Sequence, residues 1–296
     1  MTTVTRRTAL RTLAAATGAA ALAPSAADAR VARTSGPDDV GLLFDATRCI
    51  GCRACVTRCR EANGMPPDVQ LVNGVAYDAP LDLNGQTLTV IKRWEDGERS
   101  GFVKAQCMHC ADPACCSVCM LGALHKEARG VVAYDVEKCV GCRYCQVACP
   151  FNVPRFQWAS AAPRIVKCEL CRHRWKDGKG PACAEACPRG AVIYGKRTEL
   201  LAEARRRLAD RPEAYQGGVF GEREGGGTAV LYLSPVPFAK LGLPELSAEP
   251  VPALGETIQH GIYKGFVAPV ALWGALAFVA WKNHRGQNTE SEENQP

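Results

Sequence analysis

At 296 residues the chain is long enough for one or two domains with real cores, and its 17 cysteines are too many for ordinary packing. Their number is odd, and disulfide-dense scaffolds are mostly far shorter, so a pure disulfide framework fits poorly. Of the formal charge of +6, residues 1–29 carry +2 (Arg6, Arg7 and Arg11 against Asp28), leaving +4; with no basic run or interleaved aromatics, this argues against nucleic acid as a partner.

In chain order, residues 1–29 read as a removable address. Thr5-Arg6-Arg7-Thr8-Ala9-Leu10-Arg11 is a twin-arginine pattern, with Ala9 where the motif usually has Phe. A weakly apolar run from Leu13 to Ala23 and the A-x-A site Ala27-Asp28-Ala29 follow. The twin-arginine route exports proteins already folded around their cofactors. Cysteines can therefore be occupied before they meet an oxidising compartment.

The next section repeats itself. LLFDATRCIGCRACVTRC (Leu42–Cys59) lines up with VAYDVEKCVGCRYCQVAC (Val132–Cys149) at a constant offset of 90. A repeat of this quality implies duplicated units. Leu42–Phe44 and Val131–Tyr134 read as strands leading into cysteine loops, and the residues around Cys59 and Cys149 as one or two helical turns. Between the repeats, an insertion at 60–106 has turn signals at Asn73-Gly74, Asn84-Gly85 and Asp96-Gly97. Its alternating segment Thr87–Trp94 is a strand candidate, and it is expected to be a surface elaboration.

Downstream, Thr198–Leu208 predicts an amphipathic helix with Leu200, Leu201, Ala204 and Leu208 on one face. Gly225–Gly227 is a turn before the strand candidate TAVLYL, with no Gly-Lys-Ser/Thr to make it a phosphate loop. Pro235, Pro237, Pro244, Pro250 and Pro252 mark an extended run. Gly265–Trp281 is then 17 residues without a charge, between Lys264 and Lys282. With Ile262 and Tyr263 it would span about 28 Å at 1.5 Å per residue, close to a hydrocarbon core. A buried core helix of that length is the alternative, but the charged flanks and polar tail favour a single membrane span. Lys282 and Arg285 just beyond it put the tail in the cytoplasm and the cysteine body outside.

The cysteines fall into four groups. Cys49, Cys52, Cys55, Cys59 and Cys139, Cys142, Cys145, Cys149 share the spacing C-x2-C-x2-C-x3-C. Cys107, Cys110, Cys115, Cys119 open one loop to x4, and Cys168, Cys171, Cys183, Cys187 open it to x11. Pro188 follows Cys187 as Pro150 follows Cys149. Three thiolates two residues apart can wrap one face of an iron–sulfur cubane, while a fourth on a departing helix serves the neighbouring cluster. Zinc sites prefer two separated C-x2-C pairs, and redox dithiols need only two cysteines. Neither explains the tight triples, so four 4Fe–4S clusters are expected. Cys116 is left over and reads as a small buried hydrophobe. His109, inside a cysteine loop, is a candidate hydrogen-bond donor to a cluster; His260 reads as an interfacial residue before the span.

At these residues the sequence resembles the four-cluster ferredoxin subunits of respiratory oxidoreductases, among them formate dehydrogenase, dimethyl sulfoxide reductase and nitrate reductase. The resemblance is greatest to the subunit of the membrane-bound nickel–iron hydrogenase of the hydrogenase 2 type. It is carried by GLLFDATRCIGCRACVTRC, KAQCMHCADPACC, CRYCQVACPFNVP, EREGGGTAVLYL, LGLPEL and IQHGIYKG, and by the twin-arginine signal combined with a C-terminal anchor. Met120 stands where the family usually has a proline, and all sixteen ligand cysteines are present, whereas nitrate reductase partners lose one to tryptophan.

The resemblance implies a pairing of groups. Cys49, Cys52 and Cys55 would take Cys187 (cluster A); Cys168, Cys171 and Cys183 would take Cys59 (cluster B). Cys107, Cys110 and Cys115 would take Cys149 (cluster C); Cys139, Cys142 and Cys145 would take Cys119 (cluster D). The implied fold is α+β, two ferredoxin-like halves in residues 30–198. A docking extension at 199–261, a transmembrane helix at 262–282 and a cytoplasmic tail at 283–296 complete the expected layout. No nickel-ligand pair, dinucleotide fingerprint or nucleophile–base set occurs, so the chain reads as a wire without a catalytic site of its own. The implied partners are the large and small subunits of a nickel–iron hydrogenase, an integral-membrane quinone-reducing subunit and membrane lipid. The implied location is the periplasmic side of the cytoplasmic membrane. A molybdenum oxidoreductase subunit remains the alternative within the class, and a zinc- or disulfide-stapled membrane-anchored scaffold the alternative outside it.

Overall fold

A computed structural model describes residues 32–66, 82–258 and 269–281. The chain divides into two units, one formed by Ala32–Ala253 and one by the two ends, Met1–Val31 with Leu254–Pro296.

In the first unit, β1 (Val40–Asp45) is buried at all six positions, which explains a sequence that runs apolar without alternating. It is the middle strand of a three-stranded sheet, antiparallel to β8 (Val192–Lys196) and parallel to β9 (Val230–Leu233). Gly41 permits the close approach of β9, because a Cβ there would lie 1.8 Å from the carbonyl oxygen of Ala229. β2 (Thr89–Asp96) and β3 (Arg99–Gln106) form an antiparallel ribbon. This ribbon, expected at the surface, instead sends Val90, Ile91, Trp94 and Val103 into the main core. β4 (Leu124–Lys126) pairs with β5 (Val132–Tyr134), and β6 (Arg155–Phe156) with β7 (Ile165–Val166).

Four short helices accompany the cysteines: α1 (Ala54–Ala62), α2 (Ala114–Ser117), α3 (Tyr144–Ala148) and α4 (Ala182–Glu185). α1 packs on α4 and α2 on α3. The fifth helix, α5 (Arg197–Asp210), covers the three-stranded sheet as its amphipathic pattern predicts, with Leu200 and Ala204 against Leu43, Leu231 and Leu233. Its Arg207 is also buried, with Nη1 donating to Oδ2 of fully buried Asp45 at 3.0 Å. Tyr215 donates to the same oxygen at 3.0 Å. Part of the expected docking extension is thus core: β9 is buried along its length, and Ala229 N–H donates to the carbonyl of Met108 at 3.1 Å, tying the sheet to a cysteine loop.

In the second unit, residues 269–281 are helical and expose Val270, Trp273, Leu276, Phe278, Val279 and Trp281. Among the described residues no helix is long and apolar enough to cross a membrane. The signal at 1–29, His260, residues 262–268 of the expected span with Lys282, and the tail lie outside the described residues.

Candidate functional site

All four cysteine groups open with the same backbone device. The second residue between the first two cysteines is left-handed in each: Gly51 (φ 70°), His109 (φ 47°), Gly141 (φ 70°) and Leu170 (φ 50°). A left-handed residue in such a turn aims successive amides into one concavity, which suits an anionic sulfur. Leu170 N–H accordingly donates to Cys168 Sγ at 3.4 Å, and the Gly51 and His109 amides bond Cys49 and Cys107. Glycine adopts this conformation freely, whereas His109 and Leu170 adopt it at a cost of about 1–2 kcal/mol. Strain of this kind persists where surrounding structure demands it.

The fourth cysteines were all expected on departing helices. Cys59 is, within α1. Cys149 is the residue that ends α3, while Cys119 and Cys187 follow the caps of α2 and α4.

Strand pairing decides which groups meet. The first group follows β1 and the fourth precedes β8, so the β1–β8 pairing and the α1–α4 contact bring them together. The second group precedes β4 and the third follows β5, which join in the same way. Cys49, Cys52, Cys55 and Cys187 line one open cavity of about 340 Å³, rimmed by Arg48, Arg53 and Arg189. Cys119, Cys139, Cys142 and Cys145 line another of about 450 Å³, rimmed by Met120, Leu121 and Val140. Cys59 interacts electrostatically with Cys183 and Cys171 as well as with Cys55 of its own group, and Cys168 with Cys59 and Cys183. Cys110 is coupled to Cys107, Cys115 and Cys149. None of the seventeen cysteines is in a disulfide, and among the described residues no three metal-binding side chains converge on a single-ion point.

Burial dominates the chemistry of these sulfurs. It pushes the Cys55 thiol up to about 11, and those of Cys59, Cys145 and Cys149 up to about 12. Thiolates in such places need compensating positive charge, which a metal centre supplies. Donors are ready for them: Leu124 N–H lies 3.4 Å from Cys119 Sγ, and Asn63 Nδ2 lies 3.7 Å from Cys59 Sγ and 4.0 Å from Cys171 Sγ. Cys115 is pushed well up by a hydrogen bond with half-buried Cys116 and by burial.

Comparison with known proteins gives the chemistry its class. The 4Fe-4S dicluster domain family matches residues 99–197. The chain is 38% identical over 287 residues to the hydrogenase-2 operon protein HybA of Escherichia coli O157:H7, covering 85% of this chain and 87% of that one. It is 36% identical over 253 residues to the iron-sulfur subunit of the nitrate-inducible formate dehydrogenase of Escherichia coli K12, covering 82% of each. The formate dehydrogenase-O iron-sulfur subunit of the same strain is 35% identical over 271 residues, 86% of this chain and 87% of that one. The chain belongs to this family of iron–sulfur electron-transfer subunits.

The residues of this iron–sulfur subunit fit the 4Fe–4S clusters of its family. Each cluster, when bound, takes up and releases single electrons; the chain supplies thiolates and amides directed at sulfur. Buried groups beside the loops are left with open valences. His109 is fully buried; its Nδ1 accepts from Val132 N–H at 3.1 Å, so Nε2 carries the proton and has no partner among the described residues. The Nε2 amide donor of Gln106 is likewise buried and unpartnered among them.

Sequence reading missed a second set of residues. A cation stands shortly before every cysteine group: Arg48, Lys104, Lys138 and Lys167. Only Lys104 and Lys167 are buried. Lys167 donates to the carbonyls of Val132 and Cys168, and its charge reaches Cys107 and Cys115 across the fold. The signal was present, a lysine inside an apolar run next to a ligand cysteine, but spacing alone cannot say which lysines turn inward.

Proposed function

We propose that the chain is the electron relay of a respiratory hydrogenase complex facing the periplasm, carrying four 4Fe–4S clusters. Cluster A is held by Cys49, Cys52, Cys55 and Cys187; cluster B by Cys168, Cys171, Cys183 and Cys59. Cluster C is held by Cys107, Cys110, Cys115 and Cys149; cluster D by Cys139, Cys142, Cys145 and Cys119. The observation that carries the reading is that each fourth cysteine lies among three from a different group, as Cys187 does in the cavity lined by Cys49, Cys52 and Cys55. Cys119 does the same beside Cys139, Cys142 and Cys145.

Electrons would enter from the large and small subunits of a nickel–iron hydrogenase and leave to an integral-membrane quinone-reducing subunit. The likeness to the hydrogenase-2 operon protein over most of both chains supports this choice. The twin-arginine pattern at Arg6-Arg7 supports export as a folded, loaded body, and the uncharged run Gly265–Trp281 supports a membrane anchor. A second reading, as the iron–sulfur subunit of a formate dehydrogenase complex, is favoured by the 36% identity to that relative.

Protein purified anaerobically from membranes is expected to contain about sixteen iron atoms per chain, four per cubane, with matching acid-labile sulfide. Zinc in place of iron would overturn the cluster assignment. Hydrogen-dependent quinone reduction by the co-purified complex separates the first reading from the second, which requires formate. Replacing Arg6 and Arg7 by lysine is expected to leave the loaded protein in the cytoplasm. Removing residues after Gly261 is expected to release it from salt-washed membranes; retention there would assign the anchor to its partners.

A further inference from the structure

Lysine is seldom fully buried, and Lys104 on β3 is 1% exposed. Its ammonium donates to Thr89 Oγ1 and Gln106 Oε1, both neutral acceptors. Those two residues face each other across the β2–β3 ribbon, so the register of the strands itself builds the cradle. Tyr232 Oη donates to the Lys104 carbonyl at 2.6 Å and pins the backbone beneath it. A buried ammonium held by neutral groups alone is costly unless negative charge stands nearby. The charges that Lys104 feels most strongly are those of Cys183, Cys55, Cys59 and Cys168. Three of these belong to cluster B and one to cluster A. Among the described residues the cations lining the cluster D cavity are not buried: Lys138 has a side chain 58% exposed and paired with Asp135 at 3.0 Å, and exposed Arg143 lies over the Trp158 ring at 4.6 Å.

We propose that Lys104 is a fixed buried charge that raises the reduction potential of cluster B, and to a smaller extent that of cluster A, relative to cluster D. Reduction adds one electron to a cluster and makes or breaks no bond. The added negative charge is stabilised by an ammonium that neither water nor a carboxylate screens. Clusters B and D would then differ in potential although their cysteine loops are alike; cluster C has a buried ammonium of its own in Lys167. The proposal rests on the ligand sets given above.

The test is a redox titration of the full-length protein in its membrane complex, followed by electron paramagnetic resonance. Cluster B is identified as the signal altered in Cys171→Ser. In Lys104→Met, which keeps the length and removes the charge, the cluster B midpoint is expected to fall by at least the equivalent of a tenfold change in oxidised-to-reduced ratio, 59 mV for one electron. The cluster D midpoint is expected to stay put. Gln106→Glu sets a carboxylate against the ammonium without removing it, and is expected to lower the same midpoint. An unmoved cluster B midpoint with all clusters present, or an equal fall at cluster D, would overturn the proposal. Failure of both variants to assemble clusters would overturn it too, by giving Lys104 a folding role instead. Absence of four cluster signals in the unaltered protein would instead sink the ligand assignment on which it stands.

Discussion

The two halves carry the same cysteine loop on different supports. β1 delivers the first loop from the middle of a three-stranded sheet, whereas β5 delivers its counterpart from three residues of a two-stranded ribbon. Asp45 is fully buried against Arg207, while Asp135, its partner in the repeat, meets Lys138 at the surface. Around the third group Val140, Tyr144 and Val147 are exposed, at 72%, 57% and 86%, leaving apolar side chains in water beside exposed Cys142. Loop geometry follows from cysteine spacing and one left-handed residue; the environment of the loop follows from what packs behind it. Duplication has conserved the first and let the second diverge.

The comparison is broken most severely at Gly41. Its counterpart in the repeat is Val131, which is fully buried with no third strand crowding it. Gly41→Val makes the first half read like the second, yet its Cβ would lie 1.8 Å from the carbonyl oxygen of Ala229, the residue before β9. The expected loss exceeds about 4 kcal/mol, enough to prevent assembly. Thermal unfolding and iron content of the variant check it; a normal melting temperature would mean that β9 does not lie beside β1.

One cluster is the next largest stake. Cys187→Ser is expected to alter the signal of cluster A, whose other ligands lie more than a hundred residues earlier, and to leave cluster D unchanged. An altered cluster B with cluster A intact would reverse the crossed pairing. The same variant shows how much of the site was legible in sequence. The four groups, the repeat and strands β1, β2, β5 and β9 could be read because ligand spacing and apolar runs are local signals. The burial of the β2–β3 ribbon could not, since the alternating pattern of β2 suits a strand with one face in water as well as one facing a core. Lys104 and Lys167 were equally hidden, because a lysine is ordinarily a solvated residue and only tertiary packing turns these two inward.

A stability comparison sharpens the contrast between the two aspartates. Asp45→Ala removes one of the two carboxylates that pair with buried Arg207, leaving Glu203 Oε1 at 2.7 Å, and takes away the acceptor of Tyr215 Oη; it is expected to cost about 1–3 kcal/mol. Asp135→Ala removes a surface pair with Lys138 and is expected to leave the urea midpoint unchanged. Urea midpoints of the two variants, measured on cluster-loaded protein, give the difference directly. Equal losses would mean that the helix α5 is not held to β1 through the buried pair.

The smallest expected effect is at Cys116, which has no place in any of the four groups. Its thiol is half-buried beside Leu124, Val132 and the other cysteines of the second half, and bonds the thiol of Cys115. Were it a ligand, Cys115 would be spare, and the second group would read C-x2-C-x5-C-x2-C, unlike the other three. As a packing residue it contributes only the burial of one small side chain, so Cys116→Ala is expected to cost no more than about 1 kcal/mol. Iron content is the decisive readout, because packing loss leaves it untouched while ligand loss removes a whole cubane. Retention of every cluster signal would keep Cys115 as the third ligand of cluster C. Loss of one would move the ligand by a single residue and undo the likeness of the four loops on which the comparison of the halves depends.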